Sequence, residues 1–124
     1  MNNISRDELS RGLATLHGYS ADELNETLRG AYEGLKDRGL LVEHQGIAQS
    51  FETWRQSLLK WSQLTLCNNG APVQILELAI DIAEALIAAG LPADFGQGAD
   101  KDVVCILAAH ITKEGLTRFC QKHQ

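Results

Sequence analysis

The chain has 124 residues, the length of one ordinary domain, and its apolar share of 44% excludes wholesale disorder. Eleven Lys and Arg against sixteen Asp and Glu leave a net charge of −5, which excludes a protein that binds by coating nucleic-acid phosphates.

Ser5-Arg6-Asp7-Glu8 reads as a capping box, with Ile4 and Leu9 placed as its hydrophobic staple. Leu9, Leu13 and Leu16 mark one face of the first helix, and Gly18 stops it. Ser20-Ala21-Asp22-Glu23 repeats the device with Tyr19 and Leu24. Leu24, Leu28, Ala31 and Leu35 line the second helix, Lys36 and Arg38 suit its negative end, and Gly39 closes it. Gly30 and Gly34 lie four apart inside that helix, where each costs about 1 kcal/mol relative to Ala. They mark either an internal helix crossing or a flat surface for a partner's backbone.

Residues 41–49 read as a short β-hairpin turning at Gly46 or as an irregular connector. Ser50 caps a third helix whose stripe is Phe51, Trp54, Leu58 and Trp61, completed by Leu64 or Thr65. Trp54 and Trp61 are core aromatics or, if exposed, interface anchors. Asn68-Asn69-Gly70 reads as a helix stop, and Pro72 as the first turn of a fourth helix. That helix, at about 72–89, is apolar on most sides and is expected to be the centre of the fold. Its polar strip is Gln74, Glu77, Asp81 and Glu84, with three carboxylates on one face: a solvated edge or an acidic surface for a basic partner. A Lys or Arg from another helix would relieve their repulsion. After a glycine-containing loop at 91–98, Val103, Val104, Leu107 and Ile111 face inward from a last helical region. It either runs on through Gly115 or gives way to a separate helix with Leu116, Phe119 and Cys120. The expected fold is all-α, a compact bundle of five to six helices in one domain spanning 1–124.

Cys67, Cys105 and Cys120 form no CxxC pair, and a chain this long needs no disulfide to hold a core. They are expected to be reduced core thiols in a cytoplasmic protein. Met1–Glu8 is polar, so no signal peptide is expected, and no apolar run reaches the length of a membrane span. Cys120 with His123, and Cys105 with His110, lack the spacing of structural zinc ligands. Gly96-Gln97-Gly98 has no preceding strand and no following Lys-Ser or Lys-Thr, so no phosphate loop is expected. Without a nucleophile motif either, the chain is expected to have no catalytic, cofactor or metal site.

Two capped helices, then Leu35-Lys36-Asp37-Arg38-Gly39-Leu40-Leu41-Val42 and a hairpin, resemble winged-helix regulators over about residues 5–50. The resemblance implies a DNA-binding transcriptional regulator. The would-be recognition helix departs from it, carrying Asp22, Glu23, Glu26, Glu33 and Asp37 against Arg29, Lys36 and Arg38. The would-be wing offers no Lys or Arg. The favoured expectation is a small acidic regulator or inhibitor of the size that bacteria and phages often encode. It would bind another protein, or a second copy of itself, through Gly30, Gly34, Trp54, Trp61, Glu77, Asp81 and Glu84.

Overall fold

The computed structural model describes residues 4–41, 43–44, 47–96 and 100–122. Among these described residues, six helices, α1 (Arg6–Thr15), α2 (Ala21–Asp37), α3 (Phe51–Leu66), α4 (Ala79–Ala89), α5 (Asp100–Glu114) and α6 (Leu116–Lys122), make the expected mostly helical fold. Two short antiparallel hairpins accompany them: β1 (Glu43–His44) with β2 (Ile47–Ala48), and β3 (Cys67–Asn68) with β4 (Ala71–Pro72).

The helix starts follow from their caps. Ser5, Ser20 and Ser50 each accept a hydrogen bond from the backbone N–H three residues on. At Ser20 the box is complete, because Glu23 accepts in return from the Ser20 N–H. That pair of bonds also holds the Glu23 carboxyl below its usual range. On α2 the buried residues are Leu24, Leu28, Tyr32 and Leu35, with Ala31 only half-buried. Tyr32, Phe51 and Trp54 form an aromatic cluster with ring centroids 5.4–6.2 Å apart. Arg29 lies over the Phe51 ring, 4.4 Å from its centroid.

The central helix is α5, which corrects the expectation for 72–89. Val103 to Ala108 is an unbroken buried run, and α5 packs on α1, α2, α4 and α6. Only 79–89 of the expected fourth helix is helical, with Ile82, Ala83 and Leu86 buried. The cause lies upstream. Asn69 and Gly70 both take positive φ (53° and 79°), the backbone of a type I′ turn, so the chain doubles back on α3. Pro72 therefore pairs with Cys67 in β4 and opens no helix. Of the two residues expected to complete the third helix's stripe, Leu64 is 71% exposed and Thr65 half-buried, and Leu66 takes the buried position. At the C-terminus, Gly115 (φ 95°) separates α5 from α6.

The cysteines also differ from expectation. Cys67 and Cys120 form a disulfide across 53 positions, with Cα atoms 5.6 Å apart, while Cys105 alone is free. Tertiary packing of α6 against β4 and α3 brings the two together, a proximity that spacing alone does not reveal.

Candidate functional site

Between β4 and α4 runs a non-helical strap, residues 73–78. Its root is fixed: the Val73 N–H donates to the Leu66 carbonyl at 2.8 Å. Its far end is Leu78, the N-terminal flank of α4, whose carbonyl accepts from Asp81 and Ile82. Between these anchors Leu76 packs partly against the core, whereas Val73 is 62%, Ile75 89% and Leu78 60% exposed. Large apolar side chains at that exposure, three within six residues, are a feature single scattered leucines do not match.

Beside the strap is a cleft of about 330 Å³. Pro72, Ile75 and Glu77 line one wall, and Gly115, Leu116 and Arg118 the other. A shallower hollow of about 760 Å³ lies at the other end of the strap, where Leu78 and Ile80 face Leu13, His17 and Lys113.

The acidic row expected on one helix face is split. Asp81 and Glu84 share a face of α4, and Arg6 of α1 pairs with both, at 3.5 Å from Asp81. This is the compensating cation from another helix. Glu77 lies before the helix starts, exposed on the strap. The three carboxylates therefore form a pair that shares one cation, leaving it half-compensated, and one separate charge, not a continuous acidic edge.

The remaining candidates fall on different surfaces. Trp54 is fully buried, its indole N–H donating to the Phe95 carbonyl at 3.3 Å, which leaves no surface for a partner. Trp61 is partly buried, with its ring 6.4 Å from that of Phe95. Gly30 and Gly34 face open space: a Cβ built at either meets nothing within 4 Å. Among the described residues, no helix crossing explains them. The close approaches are at Gly12, where a Cβ would stand 2.8 Å from Cys105 Sγ, and at Gly96, 2.7 Å from Leu35. The strap itself escaped sequence reasoning because its apolar residues continue the helical spacing of α4. The Asn69-Gly70 dipeptide, a strong hairpin signal, could have placed it.

Among the described residues, no three His, Cys, Asp or Glu side chains are grouped to hold a metal ion, and no helix is long and apolar enough to cross a membrane. His123 lies outside the described residues. The Cys105 thiol is pushed up to about 11 by burial, with Asp102 adding to the effect, so it has little thiolate to act as a nucleophile. The hairpin β1–β2 stands where the winged-helix resemblance places a wing. However, α1 packs on α4 and α5 and α2 on α5, and the two scarcely touch as a helix-turn-helix pair would. Comparisons with protein-family models, with curated proteins and with solved structures find no match for this chain.

Proposed function

We propose that this chain acts by binding another protein, as a small acidic regulator or inhibitor, and that the 73–78 strap is its contact surface. The observation that carries this reading is the exposure of Val73, Ile75 and Leu78 on one short anchored segment. Burying such side chains against a partner is the main favourable term in association, and a segment tied at both ends loses little freedom when bound. Glu77 on the strap adds one charge that favours a basic rim on the partner. The open Gly30/Gly34 face of α2 is a second, flatter surface on the same molecule. If the chain works in the cytoplasm, as its sequence suggests, the Cys67–Cys120 bridge is of the reversible kind found there.

The test is a Val73→Ser/Ile75→Ser variant. Both side chains are exposed, so the thermal midpoint should stay unchanged. Capture from native lysate, quantified by mass spectrometry, should then lose the proteins that the wild type retains. Equal capture by both forms overturns the strap as the contact surface. Self-association that disappears in the variant identifies the partner as a second copy.

The DNA-binding alternative through residues 5–50 has the β1–β2 hairpin in its favour. Against it stand the acidic α2 and the engagement of Arg29 with Phe51. Absence of duplex binding at low salt removes it.

A further inference from the structure

We propose that the Cys67–Cys120 bridge is a redox-responsive clamp on the strap: oxidised, it holds 73–78 in binding geometry, and reduction releases the strap and α6 while the rest stays folded. The inference rests on the strap being the contact surface, and it names how that surface is regulated.

The geometry supports it at three points. First, Cys67 pairs in register with Pro72, the residue from which the strap departs. The bridge therefore ties the root of the strap to α6. Second, the same two segments form opposite walls of the cleft, with Pro72, Ile75 and Glu77 facing Leu116 and Arg118. The disulfide thus ties together the two segments that form these walls. Third, α6 has seven residues and follows Gly115, whose φ of 95° interrupts the helical path from α5. A helix that short has negligible stability of its own. Buried Leu116 and Phe119, together with the bridge, hold it in place.

The chemistry is thiol–disulfide exchange with a dithiol reductant. Cys120 is fully buried and Cys67 partly exposed, so the attacking thiolate reaches Cys67 Sγ. A new S–S bond forms there, the Cys67–Cys120 bond breaks, and Cys120 leaves as a thiolate that takes a proton. The second thiol of the reductant then displaces Cys67 and closes its own disulfide. Two electrons pass from reductant to chain, which ends with two thiols. Cys105, protonated and buried, stays out of the exchange, so the bridge can re-form only as it was.

The test needs no partner. Hydrogen exchange of the wild type is followed by mass spectrometry with and without millimolar dithiothreitol, the added mass of two hydrogens confirming reduction. Exchange in peptides covering 67–78 and 116–122 should rise roughly tenfold or more, with α2 and α5 unchanged. A Cys67→Ser/Cys120→Ser variant should match the reduced profile without reductant. Unchanged exchange in the strap after confirmed reduction overturns the clamp, and so does acceleration spread evenly over all helices. Because the readout is local opening in the free chain, its failure is distinct from failure of the strap variant to lose a partner.

Discussion

Gly12 of α1 sits against Cys105 of α5 so closely that a Cβ there would stand 2.8 Å from the sulfur. The contact lies where α1 crosses the central helix, and the Cys105 thiol donates to the Leu9 carbonyl from the same place. A methyl group here must displace a buried sulfur, at a cost of about 1–3 kcal/mol that offsets or exceeds the roughly 1 kcal/mol gained in helix propensity. Gly12→Ala should therefore be neutral to destabilising by up to about 2 kcal/mol. Gly30→Ala and Gly34→Ala, facing open space, should each stabilise by about 0.5–1 kcal/mol. Urea denaturation of the three variants checks this. Stabilisation by Gly12→Ala would mean that α1 and α5 are farther apart than described.

Cys105 also predicts a pH dependence. Burial raises its thiol to about 11 in the folded chain, from an ordinary 9.0. The native state thus holds a proton that the unfolded state gives up first. The associated stability is complete below about pH 9 and is lost as pH rises through about 11. Denaturation midpoints should fall across that window, and less so in Cys105→Ala. Native alkylation of Cys105 at pH 8 should be far slower than in urea.

The bridge closes a loop between positions 53 apart. Loop closure of that length stabilises by about 4 kcal/mol at most, with 2–4 kcal/mol typical. Domains have about 5–15 kcal/mol in total, so Cys67→Ser/Cys120→Ser should still fold with a clearly lower midpoint. Calorimetry with and without reductant measures it. The wild type should shift on reduction, and the variant should not.

How much of this is visible in the sequence depends on the range of the interaction. The helix starts are local: a Ser and the N–H three residues on decide them, and Ser5, Ser20 and Ser50 all act as N-caps. Of the two capping boxes read at Ser5 and Ser20, the reciprocal bond is made at Ser20 and not by Glu8 at Ser5. Helical spacing also finds Leu24, Leu28 and Leu35, but it overruns when apolar residues continue past a break. Val73, Ile75 and Leu78 keep the helical period of α4 while the type I′ turn at Asn69-Gly70 sends the chain into an irregular path. Cys67 with Cys120, and Arg6 with Asp81 and Glu84, are long-range pairs fixed by packing. Spacing could suggest that such a cation was needed but not which residue supplies it. The candidate surface was legible only in part for the same reason: Glu77 belongs to it, whereas Trp54 is core.

Arg6 offers the clearest test of the acidic helix edge. It reaches from the first turn of α1 to two carboxylates one turn apart on α4, so one guanidinium fastens the two helices. All three side chains are substantially exposed, at 56%, 37% and 41%. Solvent screening then limits the effect of Arg6→Ala to about 0–1 kcal/mol. Ionic strength gives a sharper readout. At 1 M salt the screening length is about 3 Å, so the attraction in the wild type fades. In the variant, Asp81 and Glu84 repel each other without a cation, and salt relieves that repulsion. Raising NaCl should therefore narrow the stability gap between wild type and Arg6→Ala. A gap that is independent of salt would mean that Arg6 acts through the packing of its aliphatic stem.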